Sequence, residues 1–220
     1  MALAPTPAFV PPRYIVVEGP IRVGKTSLAK ILAERLHARR ILDSEDNPFL
    51  QAFYEEHPGA AFAAQMHFLI ERYNLLKELD FASDPNRVVV SDFLVEKDKI
   101  FAYINLDDSE LKVYDLYYES FRERLPTPDL VIYLQATPEV LKKRIAKKNH
   151  PIEAELSEEY LEEVAKAYEH FFFHYTASDL LVVNTSEIDF VDRNDDLQEL
   201  MRRLSQPVKG TQYFLPLGSR

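Results

Sequence analysis

The chain has 220 residues, of which 46% are hydrophobic and 28% are charged, and its formal net charge is −10. These values are typical of a single soluble globular domain. The acidic balance disfavours nucleic acid as a partner, because proteins that bind nucleic acid normally present a basic surface. The lack of cysteine excludes disulfide bonds and cysteine-based metal sites.

The start of the chain indicates neither a signal peptide nor a membrane-spanning segment. Residues 1–12 are rich in proline and alanine and lack the basic start of a signal peptide, so a disordered leader is predicted there. No apolar stretch approaches the length that a bilayer requires. We therefore expect a cytoplasmic protein without membrane contact.

The first predicted element is a strand that leads into a loop with two glycines. Residues 14–17, Tyr-Ile-Val-Val, are typical of a buried parallel strand. The segment Gly-Pro-Ile-Arg-Val-Gly-Lys-Thr then fits the phosphate-binding pattern G-x-x-x-x-G-K-[ST] at every fixed position. A helix over residues 26–37 would direct its positive end at the same anion. The candidate nucleotide-binding residues are Gly19, Pro20, Ile21, Arg22, Val23, Gly24, Lys25, Thr26 and Ser27.

Lys25 and Thr26 carry the chemistry of this P-loop. A lysine at this position brings a point charge to the β- and γ-phosphates, and the threonine hydroxyl can bind Mg²⁺. The pattern therefore predicts a bound nucleoside triphosphate with Mg²⁺, but it does not specify the reaction.

The remaining predicted elements alternate between strands and helices. Apolar strands are predicted at residues 41–42, 87–92, 130–134 and 180–183. Helices are predicted at residues 49–56, 61–79, 93–103, 109–125, 140–148, 157–175 and 194–204, before a tail at 206–220. With the first strand, this order predicts an α/β fold with a five-stranded parallel sheet and helices on both faces.

Three acidic residues lie at the carboxyl ends of predicted strands, at the edge where such sheets bind their ligands. Asp92 ends the third strand, where a carboxylate can hold Mg²⁺ or can instead cap the next helix. Asp43 and Glu45 follow the second strand, and either could accept the proton of an acceptor hydroxyl. The alternative is that the carboxylates of this loop, Asp46 and one of these two, only cap and solvate it.

A basic cluster ends the predicted helix 140–148. Arg144, Lys147 and Lys148, with His150 just beyond, could close over phosphates as a short lid and stabilise the charge during transfer. Cations are also favoured at any helix C-terminus, so the pattern alone leaves both interpretations open.

Two polar residues lie seven apart on the predicted helix 61–79, on one face. Gln65 carries an amide that can pair with the edge of a nucleobase, and Arg72 follows two turns later. Spacing alone predicts a surface glutamine. The apolar residues Phe62, Phe68 and Leu69 of this helix are predicted to belong to the core.

The chain resembles the bacterial deoxynucleoside kinases of the deoxyadenosine/deoxyguanosine kinase type, which have a P-loop NTPase fold. The matching segments cover most of residues 13–200 and are residues 18–30, 46–73, 88–102, 126–145 and 189–200. The second and third segments are distinctive of this group. The resemblance implies a kinase domain over residues 13–205 with a short basic lid at about 144–156. It also implies transfer of the γ-phosphate of ATP to the 5′-hydroxyl of a deoxynucleoside, a purine being favoured, as a step of nucleotide salvage.

The resemblance also implies roles on the acceptor side. Gln65 would read the base, and Arg72 would lie near the base or the acceptor oxygen. Tyr54 would meet the sugar 3′-hydroxyl, with Glu153 as its partner there. Asp92 would open the acid-Arg-Ser motif of the family and bind Mg²⁺.

On the donor side, the resemblance makes Arg144 and Lys148 the lid cations. The loop Asn194, Asp195 and Asp196 would cradle the adenine of ATP. A homodimer built on the long helices 61–79 and 109–125 is implied as well.

The sequence departs from the family at two points. The acid-Arg-Ser motif reads Asp92-Phe93-Leu94, so its arginine is missing, and Lys97 or a lid cation would replace it. The glutamate that serves as general base in the family falls on Leu42, which leaves Asp43 and Glu45 as alternatives.

Two other functions are compatible with a P-loop. A nucleoside-monophosphate kinase such as thymidylate kinase must bind a second phosphate, which calls for an arginine where Phe93 stands. A nucleotide-binding regulatory module with little catalysis is the other alternative, since the arginine is missing and the base is ambiguous.

Overall fold

The computed structural model describes residues 11–44, 46–84, 86–148 and 156–216. These residues form a parallel sheet of six strands, which are β1 (Tyr14–Glu18), β2 (Arg39–Ile41), β3 (Val89–Ser91), β4 (Leu130–Gln135), β5 (Asp179–Asn184) and β6 (Thr211–Phe214). The strand order is β2-β3-β1-β4-β5-β6. The connections diverge from the central strand β1, and ligands of such sheets bind outside the carboxyl ends near this switch point.

Eight α-helices connect the strands in the described part of the chain. They are α1 (Lys25–Arg35), α2 (Leu50–Tyr54), α3 (Ala60–Leu76), α4 (Asp98–Asn105), α5 (Asp108–Arg122), α6 (Pro138–Lys148), α7 (Glu158–Phe173) and α8 (Asn194–Leu204). A short 3₁₀ helix, Val95–Lys97, precedes α4.

The sheet separates two apolar cores. Along β1, Tyr14 and Val16 pack into one core with residues of α3, α4, α5 and α7. Ile15 and Val17 pack into the other core with residues of α1, α6 and α8. Successive side chains of a strand point to opposite faces, so a strand covered on both faces is apolar throughout. The predicted α/β fold, with helices on both faces of a parallel sheet, is confirmed.

The sheet has six strands and not the predicted five. The sixth strand, β6, lies in the segment predicted as a tail and pairs in parallel with β5, with Thr211 opposite Leu180. Phe214 packs on a core, whereas Tyr213 is 65% exposed, as expected of an edge strand. The strand has only four residues and one apolar face, so its pattern in the sequence is too short to predict it.

The chain after β3 also differs from its prediction. A continuous helix over residues 93–103 is predicted, but Phe93 and Leu94 form a buried loop before the 3₁₀ helix. Leu94 has an extended backbone, and its N–H donates a hydrogen bond to the Glu18 carboxylate 2.7 Å away. This tertiary contact lies 76 residues away in the sequence, which is why local periodicity does not show it.

Candidate active site

A cavity of about 590 Å³ opens at the carboxyl ends of the central strands. Its walls include the P-loop and the start of α1, the strand-end carboxylates Asp43 and Asp92, one face of α3, the end of α6 and the start of α7. The structure therefore brings together most of the residues that the sequence indicates for a nucleotide site.

The P-loop follows β1 directly and depends on its two glycines. Gly19 has φ 151°, and a Cβ atom there would lie 2.4 Å from the Leu134 carbonyl oxygen. Gly24 has φ 109° and begins α1, and a Cβ atom there would lie 2.7 Å from the ring of Phe190. Both positions thus exclude a side chain, for reasons of backbone conformation and of space.

Gly24→Ala is expected to lower the melting temperature and to weaken ATP binding. The alanine would adopt a strained positive φ, which costs about 1–3 kcal/mol, and it would also press on Phe190. Thermal denaturation and ATP titration measure the two effects.

Gly59→Ala is the matched control for this variant. Gly59 also has a positive φ, 75°, and begins a helix, but a Cβ atom there would meet nothing within 4 Å. We expect Gly59→Ala to lose less stability and to retain ATP binding. Equal losses in the two variants would contradict the steric role of Phe190.

The Lys25 ammonium lies inside the curl of the P-loop. It donates hydrogen bonds to the carbonyl oxygens of Gly19 at 2.8 Å and Pro20 at 3.0 Å. Burial lowers the pKa of Lys25 to about 8, and the nearby ammonium of Lys97 contributes to this lowering. The carboxylates of Glu18, Asp92 and Asp43 oppose this shift. An anion in the cavity would stabilise the charged form of this side chain.

Asp92 lies next to the P-loop threonine. The Thr26 hydroxyl donates to Asp92 Oδ2 at 2.5 Å, and the Asp43 backbone N–H donates to Asp92 Oδ1 at 2.7 Å. The next helix, α4, begins only at Asp98, which is too far along the chain for Asp92 to cap it. The Asp92 carboxylate and the Thr26 hydroxyl are therefore adjacent, at the end of the cavity where the phosphate-binding loop lies.

Two cations that line the cavity, Arg72 and Lys97, bind the Asp43 carboxylate. Arg72 donates Nε–H to Asp43 Oδ1 at 3.0 Å and a terminal N–H to Oδ2 at 2.8 Å, while Lys97 Nζ lies 3.0 Å from Oδ2. Burial by itself raises the pKa of Asp43, but Arg72 and Lys97 outweigh burial and hold the pKa well below its usual range. Burial lowers the pKa of Arg72, but its carboxylate partners Asp43 and Asp98 outweigh burial and raise the pKa above its usual range. The carboxylate of Asp43 is therefore ionised at neutral pH.

Arg72 also contacts a second, fully buried carboxylate, Asp98, at the start of α4. Asp98 Oδ2 accepts a hydrogen bond of 2.9 Å from the Tyr114 hydroxyl, and its backbone carbonyl accepts one of 2.9 Å from Gln65 Nε2. Gln65 is thus buried and not on the surface, and its amide is oriented by this bond. Asp98 and Tyr114 are functional candidates that the sequence reasoning missed, because only the packing of α3, α4 and α5 brings them to Arg72.

Aromatic side chains form the apolar part of the cavity. Phe68, Phe101 and Tyr168 line it together with Tyr54. The Phe68 ring lies 4.8 Å from the guanidinium carbon of Arg72. Leu69 and Phe62 pack into the core as predicted, but Phe68 faces the cavity. Its position on the same face as Gln65 and Arg72 is the signal that could have identified it.

Arg144 contacts backbone carbonyls. Its guanidinium donates to the carbonyl oxygens of Val23, Thr185 and Ile188 at 2.7–3.2 Å and to the Thr185 hydroxyl at 3.1 Å. It thereby joins the P-loop to the loop between β5 and α8. Lys148 lines the cavity, and Lys147 lines it while pairing with Asp192.

The predicted adenine loop lies away from the cavity wall. The residues that line the cavity in this region are Asp189 to Asp192, and not Asn194, Asp195 or Asp196. Asp196 is buried and accepts a 2.8 Å hydrogen bond from the Asp189 backbone N–H. Asn194, Asp195 and Asp196 are the first residues of α8, where Asp196 is buried and the other two are exposed, so their contact with adenine stays a prediction.

Three predicted residues, Glu45, His150 and Glu153, lie outside the described residues. The same holds for most of the predicted lid. Of that segment, residues 144–148 are the last turns of α6, and Leu156 lines the cavity.

The fold and the site together define a P-loop phosphotransferase: a phosphate-binding loop faces strand-end carboxylates across a cavity large enough for a nucleotide and an acceptor. Comparison with known proteins identifies the family. A family model described as "Deoxynucleoside kinase" matches residues 15–209.

Several relatives agree with this match. A deoxyguanosine kinase of Bacillus subtilis (strain 168) is 31% identical over 201 residues, covering 89% of this chain and 97% of that protein. A deoxyadenosine kinase of Lactobacillus acidophilus is 29% identical over 212 residues, covering 90% and 97%. The solved structure of deoxyadenosine kinase from M. mycoides with bound dATP has the same fold, with a TM-score of 0.72 at 23% identity, covering 87% of this chain and 98% of that one.

The chain therefore belongs to the deoxynucleoside kinase family. The family predicted from the sequence is confirmed, and with it the class of enzyme, an ATP-dependent phosphotransferase.

Proposed function

We propose that the protein transfers the γ-phosphate of ATP to the 5′-hydroxyl of a purine deoxynucleoside, as a step of nucleotide salvage. The observation that carries this proposal is the placement of Asp43: its carboxylate, held by Arg72 and Lys97, lines the same cavity as Lys25 of the P-loop. Purine specificity is proposed because the relatives include deoxyguanosine and deoxyadenosine kinases.

On the donor side, the P-loop holds the triphosphate. Backbone N–H groups of the loop and the Lys25 ammonium bind the β- and γ-phosphates, and Lys148 at the end of α6 adds a cation to the cavity lining. In a loose phosphoryl-transfer transition state, charge spreads over the transferred group, so these fixed cations stabilise it. Arg144 acts here by holding the P-loop through the Val23 carbonyl.

Mg²⁺ fits the pair formed by Thr26 and Asp92. Within the described ranges, no group of three or more His, Asp or Glu side chains could hold a metal ion alone. Mg²⁺ in kinases, however, needs only one or two protein oxygens beside phosphates and water, and the Thr26 hydroxyl and the Asp92 carboxylate are adjacent. When bound, the ion would neutralise charge on the phosphates.

On the acceptor side, Asp43 is the proposed general base. The acceptor hydroxyl loses its proton to a carboxylate as the bond to phosphorus forms. Arg72 and Lys97 fix the orientation of that carboxylate, and Lys97 supplies the positive charge that Phe93 does not. Glu45 remains the alternative base.

The base and sugar of the deoxynucleoside occupy the part of the cavity that α2, α3 and α4 form. Gln65 presents an amide oriented by the Asp98 carbonyl, and Phe68 and Phe101 offer flat apolar surfaces. Tyr54 lies at the same wall and is proposed to meet the 3′-hydroxyl, with Glu153 as its partner.

A panel of phosphoryl acceptors tests the proposal. The purified protein with Mg²⁺ and ATP is expected to phosphorylate deoxyguanosine or deoxyadenosine and to leave deoxynucleoside monophosphates unchanged. Activity only on monophosphates would instead favour a thymidylate-like kinase. ATP binding without turnover of any acceptor would favour a regulatory module.

A homodimer is proposed on the face formed by α3 and α5. The two helices are neighbours, since the rings of Tyr73 and Phe121 stack at 4.3 Å. The outer face of α5 exposes apolar side chains, of which Leu116 is 75% exposed, and Ile70 of α3 is 42% exposed. Tyr117 belongs to the same exposed set. A second copy of the chain would cover this surface.

Leu116→Glu is expected to convert the dimer to a monomer, because it places a charge in the apolar interface. Light scattering at micromolar concentration measures the mass. Leu36→Glu is the matched control: Leu36 is 44% exposed at the end of α1, which packs on the other face of the sheet. A monomeric wild type, or a Leu116→Glu dimer, would contradict this interface.

The protein is also proposed to act in the cytoplasm. No helix within the described residues is long and apolar enough to cross a membrane.

A further inference from the structure

Glu18 is a fully buried carboxylate to which the proposed mechanism gives no role. It is the last residue of β1, directly before the P-loop, and none of its surface is exposed. A buried carboxylate is costly unless hydrogen bonds and counter-charges surround it. The hydrogen-bond donors and the cation around Glu18 therefore show which parts of the site its carboxylate positions.

The two oxygens of Glu18 bind different parts of the site. Oε1 accepts hydrogen bonds from the Gly19 backbone N–H at 2.8 Å and the Tyr168 hydroxyl at 3.2 Å. Oε2 accepts one from the Leu94 backbone N–H at 2.7 Å, and the Lys97 ammonium lies 3.8 Å away. One side chain thus joins the P-loop, the loop after Asp92, helix α7 and a cation of the acceptor side.

Lys97 is the cation in this arrangement. Its ammonium is buried and lies between two carboxylates, Asp43 at 3.0 Å and Glu18 at 3.8 Å. Without the charge of Glu18, Lys97 would be drawn towards Asp43 alone. The orientation of Asp43 relative to the phosphate-binding loop would then change.

We infer that Glu18 is a positioning residue, which fixes Lys97 beside Asp43 and holds the acceptor side of the site in register with the first amide of the P-loop. This inference rests on the proposed function, because it assigns Lys97 and Asp43 to the acceptor side. Small displacements between reacting groups are costly: a shift of about 1 Å can lower the rate about 10²-fold.

Glu18→Gln tests the inference, since it keeps the size of the side chain and removes its charge. Glutamine has one carbonyl oxygen and one NH₂ group, so its NH₂ group must face the N–H of either Gly19 or Leu94, and one of these two hydrogen bonds is lost. We expect kcat to fall about tenfold or more, while KM for ATP changes less. Glu96→Gln is the matched control: Glu96 is the neighbour of Lys97 in sequence, but it pairs with Arg122 outside the cavity. It is expected to keep the wild-type kcat.

A double-mutant cycle with Lys97→Met separates positioning from a general loss of stability. If Glu18 acts through Lys97, the double variant is expected to lose no more kcat than the worse single variant. Losses that multiply, an unchanged kcat in Glu18→Gln, or an unchanged kcat in Lys97→Met would each overturn the inference.

Two further measurements keep the outcome unambiguous. If Glu18→Gln does not fold by circular dichroism, Glu18→Asp replaces it in the same cycle: it keeps the charge but moves it away from Lys97, and an unchanged kcat in this variant or losses that multiply with Lys97→Met would overturn the inference. A wild-type protein without activity on any deoxynucleoside would refute the proposed function. An active wild type with an additive cycle would refute only the role of Glu18.

Discussion

Lys25→Ala is expected to lower kcat by about 10²- to 10³-fold, which corresponds to about 3–4 kcal/mol of transition-state stabilisation. The Lys25 ammonium lies within the P-loop, 2.8 Å from the Gly19 carbonyl oxygen, in a half-buried position at the cavity wall. A charge in such a site acts more strongly on developing negative charge than a charge in solvent does. Steady-state kinetics with saturating ATP and deoxynucleoside measure the loss.

Lys30→Ala is the control for Lys25→Ala. Lys30 lies on the same helix and carries the same charge, but its side chain is exposed. We expect this variant to keep the wild-type kcat. If Lys25→Ala also kept it, the assignment of the P-loop to phosphate binding would be wrong.

Asp43→Asn is expected to lower kcat by about 10²-fold or more, the usual size of a general-base effect. The amide cannot accept the acceptor proton, and it cannot accept the two parallel N–H groups of Arg72 that the carboxylate accepts. Single-turnover kinetics with bound ATP and deoxynucleoside isolate the chemical step. Circular dichroism and thermal denaturation establish that the variant is folded.

Glu45→Gln and Asp46→Asn complete this comparison. The proposal assigns the base to Asp43, so both variants are expected to retain most of the activity; Asp46 is exposed and does not line the cavity. A larger loss in Glu45→Gln than in Asp43→Asn would move the base to Glu45. Equal and mild losses in both would mean that neither residue is the base.

The local features of the site are predictable from the sequence. The P-loop has a fixed pattern of glycines, lysine and threonine, because the residues that curl the backbone around an anion lie close together in the chain. The strands β1, β3, β4 and β5 are continuous apolar runs, since both faces of the sheet are covered. Their carboxyl ends share one edge, so the order of strands and carboxylates along the chain is enough to predict that Asp43 and Asp92 line one cavity.

Contacts between distant residues are not predictable in this way. Phe93 and Leu94 form a loop where the periodicity predicts a helix, because Leu94 N–H donates to Glu18. The edge strand β6 forms because it pairs with β5, and its own residues show little of the alternation that predicts a strand. Residues 189–192 line the cavity, whereas residues 194–196 begin α8, and the packing of α8 buries Asp196.

The amino-acid pattern thus establishes the family, the phosphate-binding loop and the edge of the sheet at which ligands bind. These features depend on residues close together in the chain and on strand periodicity. The partners of each charge depend on how the helices pack. Arg72 meets Asp43 and Asp98 over separations of 29 and 26 residues, and Tyr168 meets Glu18 over 150. A buried charge is stable only beside an opposite charge or hydrogen-bond partners, and these come from distant parts of the chain. The tertiary structure therefore determines which carboxylate each cation contacts.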